Sequence, residues 1–73
     1  MKVCLKTHFF QKKLIRKNKS QNWLAEKLGI TSGYMSQIMG GTRNPSPELR
    51  ERIQELFPDN DFDELFIVKD LKK

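Results

Sequence analysis

The sequence predicts one small, mainly α-helical domain, and three observations carry that reading. At 73 residues the chain suffices for one domain and no more. A chain of this size buries only about 60 % of the surface its unfolded form exposes, which leaves a small core and little room for an enclosed catalytic cavity. Apolar residues recur at helical spacing, as in Leu49, Ile53 and Leu56. Finally, the helical stretches are short, each bracketed by residues suited to start or stop a helix.

The elements follow in order. "KVCLK" alternates, with Val3 and Leu5 on one side, and reads as a short strand. Thr7 is the expected N-cap of a first helix over "HFFQKKLIRKNK", with Phe10, Leu14 and the stem of Lys17 facing inward and Asn18 as a left-handed stop. Ser20 caps a second helix over about 21–28, stopped by Gly29, and Thr31 caps a third over about 32–39, closed by Gly40 and Gly41. For the fourth, Ser46 is the N-cap and Pro47 the first helical residue, where its missing N–H costs nothing. Glu48 suits the positive end of that helix's dipole, Leu49, Ile53 and Leu56 form its buried stripe, and Pro58 ends it. "DFDELF" is a fifth helix or a turn, and "FIVKDL" reads as a strand.

Two strand-like segments at opposite ends leave backbone groups unpaired unless they pair with each other. An antiparallel ribbon between about 2–6 and 66–70 is therefore expected; the alternative is a disordered N-terminus with a last helical turn running into "KDLKK". Either way residues 1–6 and 66–73 are peripheral to a single domain over 1–73.

Charge is distributed unevenly. Up to Arg50, ten Lys/Arg face only Glu26 and Glu48, a balance of +8, whereas from Glu51 onward four cations meet seven acids, a balance of −3. A basic front with an acidic rear suits a polyanionic partner on one side; the bland alternative is a solvated lysine-rich helix. The single cysteine, Cys4, has no internal partner and reads as a small hydrophobe on a strand, which points to a reducing cytoplasm. The start shows no signal-peptide pattern, and the longest apolar run, "LFIV", is far too short to span a bilayer.

The most informative stretch is "QNWLAEKLGITSGYMSQIMGG", residues 21–41, in which Gly29 separates two short amphipathic helices. Counted from Gln21, positions 4, 8, 10, 15 and 18 are Leu24, Leu28, Ile30, Met35 and Ile38, all apolar. Position 5 is Ala25, small enough for the helices to approach, and position 9 is Gly29, which can take the positive φ a sharp turn requires. This is the pattern of a helix-turn-helix unit over about 21–40, whose helices cross at about 90–120°. A generic helical hairpin would share most of the apolar sites, but not the small residue and the glycine together.

With those residues in place, "SQNWLAEKLGITSGYMSQIMGGTRNPSPELRERI", residues 20–53, resembles the phage-repressor-like, Cro-type (XRE) helix-turn-helix family over about half the chain, and the trailing "FDELF" is similar to that family's usual ending. The resemblance implies a five-helix repressor-like fold, sequence-specific binding of double-stranded DNA, transcriptional control, and a third helix that acts as the recognition helix. Two departures stand out. Many relatives bury an Arg–Glu ion pair where this chain has Leu14 and Met39, a joint change that leaves no stranded charge. Lys19 stands where an apolar residue is usual.

Steps of about 100° per residue turn Gly33, Ser36, Gln37 and Gly40 outward when Met35 and Ile38 point in, with Ser32 and Tyr34 on the flanks. Ser32, Gly33, Ser36 and Gln37 are the expected base-reading positions. Gln37 leads, because its amide can pair bidentately with adenine for about 1–3 kcal/mol of discrimination. Gly33 removes a reading side chain but lets the helix come closer. Gln21, Tyr34, Thr42, Arg43 and Asn44 are the expected phosphate contacts, which position rather than specify, and Lys19 and Lys27 lie near the same face. Gln37 as a plain solvated side chain and Tyr34 as partial core are the bland alternatives.

Other constellations carry less. Asp59, Asp61 and Asp63 have the spacing of a calcium loop, but Glu64 stands where glycine is needed and Asp70 where glutamate is, so turn and N-cap chemistry explains the acids better. His8 stands alone, with no nucleophile or acid set beside it. Trp23 is expected to be partly buried, the alternative being a contact with another chain that Phe57, Phe62 and Phe66 extend. The expected protein is a non-enzymatic cytoplasmic regulator, most simply a repressor, binding a double-stranded operator as a homodimer on half-sites about 34–36 Å apart. Cofactor, metal, membrane and small-molecule ligand are not expected. The alternative is a protein-interaction module, such as an antitoxin that also binds DNA, although "IVKDLKK" leaves little to wrap a toxin.

Overall fold

The computed structural model describes residues 2–69. In chain order it contains β1 (Lys2–Leu5), α1 (Thr7–Lys17), α2 (Gln21–Leu28), α3 (Ser32–Gly40), α4 (Pro47–Leu56), α5 (Phe62–Leu65) and β2 (Phe66–Lys69). The domain is small and mainly helical, with one two-stranded sheet.

The ribbon forms as expected, with Lys2 opposite Lys69, Val3 opposite Val68, Cys4 opposite Ile67 and Leu5 opposite Phe66 in antiparallel register. The predicted extension to Asp70, and the competing helical turn through "KDLKK", lie partly outside the described residues. Lys6 N–H donates to the Leu65 carbonyl at 2.9 Å, so the ribbon is anchored where α5 ends. Leu5 and Phe66, the innermost pair, are both buried, which ties the sheet to the helical core.

Local capping chemistry explains most helix boundaries. Ser20 Oγ accepts from Trp23 N–H at 3.0 Å, Thr31 Oγ1 from Tyr34 N–H at 3.1 Å and Ser46 Oγ from Leu49 N–H at 3.2 Å. Asn18 stops α1 at φ 56°, ψ 43°, and Pro47 opens α4. Asp61 and Glu64 form a reciprocal capping box on α5, which accounts for one acid of the calcium-like spacing and for the glutamate that breaks it.

Thr7 departs from the expectation. It is the first residue of α1 rather than its cap; Lys6 occupies the cap position with no side-chain bond. The Thr7 hydroxyl instead donates to the Met39 carbonyl at 3.0 Å, closing the far end of α3. A bond to an unsatisfied carbonyl across the fold replaces a local one. The stem of Lys17 is also not inward, since that residue is exposed.

The core is apolar throughout. Phe10 is fully buried, edge-on to Phe57 at 5.4 Å and to Phe9 at 5.7 Å between ring centroids. Leu14 and Met39 are both buried, at 6 % and 8 % exposure, as parts of that apolar core. Trp23 is half-buried against the core beneath the Lys19 ammonium, 5.4 Å from its ring. Phe57 and Phe66 are interior, and Phe62 packs on Phe66 at 5.0 Å, so these rings serve the core rather than an outer aromatic surface. No helix among the described residues is long and apolar enough to cross a membrane.

Candidate nucleic-acid interface

The placement of α3 begins at Gly29. Its φ of 72° and ψ of 31° turn the chain sharply after α2, and its N–H and that of Ile30 satisfy the carbonyls of Glu26 and Ala25. A side chain here would sit in a left-handed backbone that costs an L-residue about 1–2 kcal/mol, which is why glycine occupies the position. Ala25, 3 % exposed, lets α2 and α3 pack closely. Across the turn, Arg52 of α4 donates from Nη1 to the Leu28 carbonyl at 3.1 Å, holding the last turn of α2. Sequence reasoning missed this residue: a charged position on the outer side of α4 gives no sign of a partner 24 residues back.

The helical arithmetic on α3 holds. Met35, Ile38 and Met39 are buried, while Ser32, Gly33, Ser36, Gln37 and Gly40 are exposed. Nothing lies within 4 Å of where a Cβ would stand on Gly33 or Gly40. The outer side of α3 is thus uncovered by the chain itself, and it holds hydroxyls, one amide and no charged residue.

Two contacts organise these polar groups, and neither was foreseen. Gln21, half-buried at the start of α2, donates from Nε2 to Ser36 Oγ at 3.1 Å, so one of its two amide N–H groups is committed to α3. Arg43 donates from Nη1 to Gln37 Oε1 at 3.3 Å while its guanidinium lies 5.0 Å from the Tyr34 ring centroid. Tyr34 is half-buried, combining the partial-core reading with a platform for Arg43. Gln37 is exposed, and its amide retains acceptor capacity on Oε1, which has two lone pairs.

The loop after α3 is anchored. The Thr42 hydroxyl donates to the Gln37 carbonyl at 3.2 Å, and the Thr42 and Arg43 N–H groups converge on that same oxygen at 3.0 and 3.2 Å. Thr42 is therefore a closing residue for α3 before it is a phosphate donor. Asn44 is exposed and accepts from Cys4 Sγ at 3.4 Å, joining the loop to β1. Of the predicted positions, Ser32, Gly33, Ser36, Gln37, Gln21, Tyr34 and Arg43 come together around α3. Lys27 is exposed on α2, and Lys19 is drawn to Trp23.

Comparison with family models, with characterised proteins and with solved structures yields no match.

Proposed function

We propose that this chain binds double-stranded DNA in a sequence-specific manner and regulates transcription, reading the major groove with α3. One observation carries the proposal: a short helix held across a glycine turn, with Ser32, Gly33, Ser36 and Gln37 all exposed and no chain atom over Gly33 or Gly40. A helix in that attitude fits the major groove, and its amide and hydroxyl groups match the donors and acceptors of base edges. Gln37 reads adenine, with Ser32 and Ser36 as less selective partners. Arg43, Asn44 and the remaining N–H of Gln21 meet phosphates. The resemblance of residues 20–53 to Cro-type repressors supports the same reading, with a cytoplasmic repressor acting as a homodimer on paired half-sites.

Selection of bound duplexes from a random pool, followed by titration of the enriched sequence at rising salt, tests it. Enrichment of a defined motif is expected, with log K falling by about 0.9 per phosphate contact against log salt. A pool that stays random through selection would remove the proposal.

A further inference from the structure

The positive charge of this chain does not lie where the base-reading helix lies. α3 has no charged residue, whereas α1 carries Lys12, Lys13, Arg16 and Lys17 with no acid among its residues. At about 100° per residue, with Phe10 taken as the inward direction, Thr7 sits near 60° on one flank and Phe9, Lys12, Lys13 and Arg16 span roughly 60–160° on the other. Thr7 is the residue bonded to the end of α3. The cationic flank is therefore turned away from α3, and it borders α5 instead.

There it forms one wall of a cleft of about 360 Å³ lined by Phe9, Lys12, Lys13, Arg16, Asn60 and Glu64. That volume is within the range of small-molecule sites, about 300–1,000 Å³. Lys12 and Arg16 lie one helical turn apart and Lys13 beside them, so three cationic groups can converge on a single dianion. The half-buried Phe9 ring offers an apolar floor, with the Lys13 ammonium 5.7 Å from its centroid. The one carboxylate in the lining is held in place: Glu64 Oε1 accepts from Asp61 N–H at 3.0 Å and from Asn60 Nδ2 at 3.3 Å, and the three cations outnumber it. Asn60 Oδ1 is buried without a partner, while its Nδ2 donates to Glu64 Oε1.

We infer that the α1–α5 cleft is a binding site for a phosphate monoester carried on a flat aromatic group, that is, a mononucleotide. The phosphate is held by Lys12, Lys13 and Arg16, and the base lies on the Phe9 ring, from which the Lys13 ammonium moves to the phosphate. The inference uses neither α3 nor an operator, so it stands or fails separately from the DNA reading.

The test follows backbone amide shifts of the full chain as adenosine 5′-monophosphate, inorganic phosphate, adenosine or a short random duplex is added. Saturable shifts confined to about 9–16 and 60–64 are expected with the nucleotide, and phosphate or adenosine alone should bind at least tenfold more weakly. Replacing Lys12→Gln and Arg16→Gln together should weaken the nucleotide at least tenfold. Both residues are exposed, so the thermal melt should hold, and Lys27→Gln should leave the nucleotide affinity unchanged. A nucleotide no tighter than phosphate would overturn the inference. So would shifts spread equally over Lys2, Lys19 and Lys27, or a duplex that moves the cleft amides more than the nucleotide does.

Discussion

The contact between Arg43 and Gln37 makes a quantitative demand on DNA binding. Sequence reasoning makes Arg43 a phosphate contact, so Arg43→Ala should weaken every duplex alike. The structure adds a second effect, because Arg43 also holds the Gln37 amide at 3.3 Å from above the Tyr34 ring. A hydrogen bond of this kind is worth about 0.5–1.5 kcal/mol net, and its length and exposure put it in the lower half of that range. Gln37→Ala should cost about 1–3 kcal/mol on the selected duplex and little on a scrambled one. Arg43→Ala should cost both duplexes equally through its phosphate, and the selected one a further ~0.5–1 kcal/mol because Gln37 loses its orientation. The double variant should then lose less than the two single losses combined, by that same amount. Titrations of the four proteins on both duplexes at several salt concentrations measure each quantity, and Arg43→Ala should make the salt slope shallower by about 0.9. Strict additivity of the two substitutions would show that the contact does not organise readout. Equal losses on both duplexes for Gln37→Ala would remove that residue from readout altogether.

Four stability measurements by urea unfolding examine the scaffold behind it. Gly29→Ala places an L-residue at φ 72° and should cost about 1–2 kcal/mol; a Cβ there meets only Arg52 Nη1 at 3.6 Å, so the loss is backbone strain, and a neutral result would contradict the turn. Thr7→Val removes the bond to the Met39 carbonyl with little change of shape and should cost about 0.5–1.5 kcal/mol, whereas a mere exposed first-turn threonine would lose almost nothing. Gly33→Ala should stabilise by up to about 0.5–1 kcal/mol, since helical glycine is the poorer residue and nothing lies near the new methyl. The same change should weaken the selected duplex, and unchanged affinity would place Gly33 outside the interface. Phe10→Ala, at the centre of the core, should cost about 3–5 kcal/mol.

What could be read from the sequence were the features governed within one helical turn. Ser20, Thr31 and Ser46 cap where their short polar side chains precede apolar periodicity, and Gly29 and Asn18 stop helices because few other residues tolerate their backbone. The in–out division of α3 followed from 100° steps and two apolar anchors. The ribbon was legible because two unpaired strand-like ends had only each other. What was not legible were bonds that the tertiary structure brings together: Thr7 to Met39, 32 residues apart, and Arg52 to Leu28, 24 apart. The Arg43–Gln37 contact spans only six residues, yet it depends on the loop reversing over Tyr34. No propensity encodes that reversal. The exposure of the residues along α3 was therefore readable, while the bonds among them were not.

The apolar interior bears on how the interface can be studied. Among the described residues no polar or charged residue is buried, and Leu14 and Met39 join the apolar core. A fold held by apolar packing loses little when salt is added, because salt screens exposed charges more than about 8–10 Å apart and acts much less on buried groups. The outer side of α3 is likewise uncharged. Rising salt should then act on Arg43 and its neighbours at the phosphates, and hardly at all on the core or on the hydrogen bonds made by Gln37. Affinity that falls with salt while sequence preference persists separates the two kinds of contact in one experiment. That separation follows from how the residues are layered: apolar side chains beneath α3, amides and hydroxyls upon it, and Arg43 beside it.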